Sequence, residues 1–233
     1  MEHVVEHGPA FAWLRVGLAP GETIQAEAGA MVRRDVGVGM DTRLNAGYAA
    51  GFFRKIMAFF VALVRKMLGG ETLFVNTFTG PASGSSEVVL APSLSGQIVH
   101  HKLDGRTQLI VQAGSYLAST GSIDTKLRWG GLRMLLSREG LFLLECTGQG
   151  DLFITSYGDI IPVQVDGDYV VDTGHMVAYE GNLDFTVGGA GGGLKGLFLS
   201  GEGLVMTFRG TGTLYLQSRN VQGLVGWLTP MLR

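Results

Sequence analysis

The chain has 233 residues, with 18 Lys and Arg against 20 Asp and Glu, and a formal net charge of −2. That balance removes the broad positive footprint nucleic-acid binding needs, so no nucleic-acid partner is expected. No run of about 20 uncharged apolar residues is present to span a bilayer.

Thirty-seven glycines, six prolines and 46% hydrophobic residues describe a turn-rich β protein rather than a disordered one. The single cysteine, Cys146, excludes an intrachain disulfide and suits a reducing compartment. The chain begins Met-Glu-His-Val-Val-Glu-His, without a basic region and an apolar run, so no secretory signal is expected.

In chain order, residues 10–32 are predicted as a hairpin around Pro20-Gly21, with Val32 to Asp41 as a third short strand. Residues 48–68 carry a helical period. Leu73 to Thr79 returns to β, and Pro81 to Ser86 is a loop of small residues. From Val88 to Asn220 the pattern is strand, turn, strand. The tail 221–233, with Trp227 and Pro230, reads as a short helix or a strand end.

One short motif occurs three times: Ala28-Gly29-Ala30-Met31-Val32, Ala113-Gly114-Ser115-Tyr116-Leu117 and Thr173-Gly174-His175-Met176-Val177. Upstream of each copy lies a turn, at Ala19-Pro20-Gly21-Glu22, Leu103-Asp104-Gly105-Arg106 and Val165-Asp166-Gly167-Asp168, read as a hairpin because Gly supplies positive φ. Downstream come Met40-Asp41, Ile123-Asp124 and Leu183-Asp184. A turn with an acid follows (Glu71, Glu139, Glu202), then a hydrophobic strand ending at Gly80, Gly148 or Gly210.

The recurrence predicts a single domain of three repeat units, about 10–92, 93–158 and 159–220, followed by the tail. Gly114 and Gly174 are 60 residues apart, but Gly29 and Gly114 are 85 apart, so the first unit holds about 25 extra residues.

These units, with Gly-Gly-Glu-Thr-Leu-Phe-Val-Asn at 69–76 and Gly-Thr-Gly-Thr-Leu-Tyr-Leu-Gln-Ser at 210–218, resemble the AIM-type mitochondrial biogenesis family over roughly residues 1–220. The resemblance implies a mainly β, TRAP-like fold related to double-stranded β-helices, with pseudo-threefold symmetry. It transfers no catalytic residue. Eukaryotic relatives are tied to inner-membrane organisation in mitochondria. A chain without a transit peptide reads as a bacterial, cytoplasmic member, peripheral to the inner membrane.

No residue set specifies chemistry. His100 and His101 are adjacent on a predicted strand and point to opposite faces, so they do not share a metal. His175 occupies a position held by Ala30 and Ser115 elsewhere. Glu71, Glu139 and Glu202 are equivalents, and symmetry works against the unequal environments an acid–base pair needs. The glycine run 188–193 lacks the Gly-Lys-Ser/Thr of a phosphate loop. Cys146 lies in a strand with no partner base. We therefore expect no cofactor, no metal and no enzymatic activity.

The departure from the repeat is the insert at 48–68. On a helix, Phe52, Phe53, Ile56, Met57, Phe59, Phe60, Leu63, Val64, Met67 and Leu68 fill about half the circumference. Arg54, Lys55, Arg65 and Lys66 lie opposite, and no acid occurs. Such a face belongs against the chain's own β body, another subunit or lipid. The expectation is an oligomeric scaffold or binding protein using this helix to engage partner chains or a membrane surface. A small-ligand-binding or enzymatic β barrel is the alternative.

Overall fold

The structure, a computed structural model, describes residues 1–44, 74–128, 142–189 and 204–232. Among these the protein is mainly β, with antiparallel ladders and one α-helix. The insert 48–68, and Glu71, Glu139 and Glu202, lie outside the described residues.

After β1 (Glu2–Glu6), the first segment contains β2 (Trp13–Leu18), β3 (Thr23–Glu27), β4 (Met31–Arg34), β5 (Gly39–Leu44), β6 (Phe74–Thr79) and β7 (Ser86–Leu90). The second contains β8 (Ile98–Asp104), β9 (Leu109–Gln112), β10 (Tyr116–Thr120), β11 (Ile123–Arg128) and a long β12 (Leu143–Thr155). The third has three long strands, β13 (Ile160–Asp172), β14 (Met176–Gly189) and β15 (Leu204–Gln217), and leads into α1 (Val221–Leu228).

The registers recur. The residue five before each motif glycine pairs across the hydrophobic strand: Ile24 with Phe78, Leu109 with Cys146, Tyr169 with Phe208. The residue two after it also has matching partners: Met31 with Leu90, Tyr116 with Ile154, Met176 with Leu216. A β-bulge follows each of these three pairs. Gly114 and Gly174 lie in single 3-10 turns, whereas Gly29 reaches the same place with φ +96°.

Two expected hairpins are instead corners. A turn forms at Pro20-Gly21, where Glu22 N–H donates to the Ala19 carbonyl at 3.1 Å. Yet β2 pairs with β1 and β7 while β3 pairs with β6 and β10, so the two strands enter different sheets. Likewise β8 and β9 both pair with β12 and not with each other. The physical reason is the core: Leu14, Val16 and Leu18 of one sheet face Ile24 and Ala26 of the other across one apolar cluster. The third expected turn, at Val165–Asp168, does not form. There β13 runs on through Gly167, held in register by β15. The single strand expected over Val32–Asp41 is two, β4 and β5.

Three apolar clusters form the core. The first is built on Leu14, Leu18, Ile24, Phe78 and Leu90, and takes Leu117 and Phe153 from the second segment. The second holds Leu103, Leu109, Tyr116, Cys146 and Ile154, and takes Val177 and Ala178 from the third. The third, with Tyr179, Met206, Phe208 and Leu214, takes Ile110 and Leu143 from the second segment. Each such large side chain contributes about 1.5–3 kcal/mol on burial.

Candidate contact surface

The C-terminal tail is the most exposed apolar element among the described residues. Asn220 starts α1 as an N-cap: its Oδ1 accepts from Gly223 N–H at 2.6 Å. Gly223 and Gly226 each cost the helix about 1 kcal/mol relative to Ala, so the cap matters here. A 3-10 turn, Thr229–Leu232, continues it. No residue of either is buried. Trp227 is 62% exposed and Leu232 82%, with Val221, Val225 and Met231 also exposed. Residues 221–232 carry no charge.

A polar network holds this tail to the β body. His175 Nδ1–H donates to the Gln217 carbonyl at 2.7 Å, and Asn220 Nδ2 donates to His175 Nε2 at 2.8 Å. The carbonyl can only accept, so the Nδ1–H tautomer follows. Gln217 Nε2 donates to the Gly174 carbonyl at 2.8 Å, and Tyr157 N–H donates to Gln217 Oε1 at 2.9 Å. His175, unlike Ala30 and Ser115 at the matching positions, therefore positions the tail.

The other histidines divide as alternation requires. His100 stacks on Phe153, meets the His3 ring edge-on at 4.5 Å and bonds Asp151 Oδ1 at 2.8 Å. His101 faces away, 3.5 Å from Glu180, whose other oxygen accepts from the Tyr215 hydroxyl at 2.7 Å. Burial, then the His100 imidazole, lowers the His3 pKa. Among the described residues no three His, Cys, Asp or Glu side chains are grouped to hold a metal ion. Cys146 is fully buried, and burial pushes its thiol up to about 12.

Across β1, β2, β7 and β4 runs a ladder of charge. Arg15 joins Glu6 at 2.9 Å and Glu87 at 3.0 Å, and Arg33 joins Glu87 at 2.9 Å and Asp35 at 3.5 Å. Arg33 and then Arg15 hold the Glu87 carboxyl below its ordinary range. The groups are exposed, so the ladder adds little stability.

The residues expected to make contacts, Phe52, Phe53, Arg54, Lys55, Ile56, Met57, Phe59, Phe60, Leu63, Val64, Arg65, Lys66 and Met67, lie outside the described residues. Sequence reasoning left the tail undecided, although Asn220 three residues before Gly223 is a recognisable cap signal.

Comparison with known proteins adds a family. The model of the family described as mitochondrial biogenesis AIM24 matches residues 4–219. An uncharacterized protein of Streptococcus pyogenes serotype M6 is 30% identical over 231 residues, covering 98% of this chain and 90% of its own. A crystal structure of a Streptococcus pyogenes protein superposes with a TM-score of 0.78 at 29% identity, covering 99% of each chain.

Proposed function

The chain belongs to the mitochondrial biogenesis AIM24 family, and on that footing we propose a non-enzymatic scaffold or binding protein that sits on the cytoplasmic face of a membrane. Its body is three units around a pseudo-threefold axis, a TRAP-like relative of the double-stranded β-helix. The recurrent registers and bulges support that description.

The observation that carries the function is the tail. An uncharged tail exposing Trp227 and Leu232 is costly in water and favourable at a lipid interface, where Trp is at home. Its His175–Asn220–Gln217 anchor holds it outward on a rigid body. The insert supplies the complementary chemistry in sequence: ten large apolar residues with Arg54, Lys55, Arg65 and Lys66 and no acid between them. A buried thiol, and histidines engaged in structural bonds, support a non-catalytic role.

Co-sedimentation with vesicles tests this. The protein should pellet with vesicles containing phosphatidylglycerol, less with pure phosphatidylcholine, and less as salt rises. Trp227→Ser with Leu232→Ser should lower the bound fraction while leaving the β circular-dichroism spectrum unchanged, and Phe53→Asp with Phe60→Asp should lower it further. Protein that stays in the supernatant with both lipids refutes the reading.

A further inference from the structure

We propose that β4 of one copy of this chain pairs with β13 of a second copy, in a two-fold dimer that closes both edges at once. The inference rests on the three-unit reading. Its test uses no lipid, so its failure is separate from failure of membrane binding.

Two of the three junctions between units carry a backbone ladder, in the same register. The residue four after one glycine pairs with the residue three before the preceding glycine: Ala118 with Ala26, and Ala178 with Val111. The third junction would pair Arg33 with Val171 and Arg34 with Val170. It does not form within the chain. Instead β4 ends the four-stranded sheet and β13 ends the eleven-stranded one.

The strand entries show the same break. Ala12 N–H donates to the Gly96 carbonyl at 3.4 Å, and Gln97 N–H to the Gly158 carbonyl at 3.1 Å. At the remaining junction, Asp159 N–H turns instead to Ser218 Oγ at 3.0 Å. The cores show a lesser asymmetry: the first cluster joins the first segment to the second and the third cluster joins the second to the third, whereas the first segment meets the third through Val75, in the cluster that holds Val177 and Ala178.

The open edges differ from the closed ones in exposure. Ala118 and Ala178, fully buried at the closed junctions, are replaced at the open one by Arg33, whose side chain is 50% exposed. Arg34 follows it. The β13 edge presents Asp168, its side chain 67% exposed, and Val170, itself 61% exposed. Arg33 and Asp168 are paired within the chain, with Glu87 and Arg209, so register and not charge selects the partner: β4 offers β13 the ladder that β10 makes with β3 and β14 makes with β9. An unpaired edge is a template for another chain. A two-fold axis satisfies both edges of both copies without propagating into a fibre.

The buried Cys146 leaves engineered thiols unambiguous. Arg34→Cys and Val170→Cys, made in separate chains and mixed under mild oxidation, should give a disulfide-linked dimer containing one of each. Wild-type protein should show a dimer mass by light scattering. Val170→Lys, placed opposite Arg34, should reduce the dimer fraction at least tenfold while leaving the melting temperature and vesicle binding in place. A monomer mass for the wild type overturns the proposal. So does failure of the mixed variants to cross-link, or a double variant that cross-links only within single chains.

Discussion

In the second segment β8 and β9 are separate strands joined by a turn at Asp104 and Gly105, whereas in the third segment one strand, β13, bends at Gly167. Both sites read Asp-Gly, and both glycines have positive φ, +84° and +104°. What differs is the company. Asp104 Oδ1 accepts from the backbone N–H of Arg106 at 2.8 Å and Thr107 at 3.1 Å, which closes the chain on itself. Among the described residues, Asp166 accepts from Thr211 Oγ1 at 3.3 Å, and β15 runs unbroken alongside. An Asp-Gly pair becomes a turn when its side chain captures the next amides, and a bend when a long neighbour holds them.

The two cores differ in the same compensating way. Cys146 and Phe208 are register equivalents, both fully buried. The smaller one is accompanied by Tyr116, whose hydroxyl bonds Ser119 Oγ at 2.8 Å, and the larger one by Met176. Volume moves between neighbouring positions while the layer stays filled.

Five substitutions probe this contrast. The largest effect belongs to Phe208→Ala, which removes a ring packed against Tyr179 and Phe185 and should cost about 3–5 kcal/mol by urea denaturation. Gly210→Ala should follow at about 3 kcal/mol, because φ is +119° and a Cβ there runs into the Asn182 carbonyl. A loss under about 1 kcal/mol would mean the bend tolerates a side chain. Next, Cys146→Phe should overpack the second cluster by about 1–3 kcal/mol, and Tyr116→Met in the same chain should recover part of that loss. Smallest is Gly167→Ala, where nothing lies within 4 Å of the added Cβ; only the backbone conformation opposes it, at about 1 kcal/mol.

A chemical probe sharpens the comparison without mutation. The Cys146 thiol, pushed up to about 12 by burial, should react with iodoacetamide about a hundredfold more slowly in native protein than in urea at mildly alkaline pH. Equal rates would mean the second cluster opens freely.

Much of the fold was legible because the motif glycine is a local signal. The strand boundaries near Phe74, Ile98 and Leu204 follow from apolar runs and turn residues. Strand partnership was not legible. Pro20-Gly21 announces a reversal, but whether β3 returns onto β2 or crosses to another sheet depends on Phe78 and Leu117, distant in sequence. Gly167 could not be separated from Gly105, because the deciding factor is the continuity of β15. The alternation of His100 and His101 was readable from period two alone. The bond from Asn220 to His175 was not, since it joins residues 45 apart.

The strands at the closed junctions belong to two cores at once. Tyr116 of β10 sits in the second cluster while its neighbours Leu117 and Ala118 sit in the first. In β14, Val177 and Ala178 serve the second cluster, Met176 and Tyr179 the third. The bulge in each strand accompanies a run of four consecutive buried residues, Tyr116–Ser119 and Met176–Tyr179. A party wall of this kind forbids dissection. Excising residues 1–92 strips Leu117 and Phe153 of their cover, so the remainder is not a smaller version of the protein. The chain should melt in one calorimetric transition with equal van't Hoff and calorimetric enthalpies, although its core is three clusters.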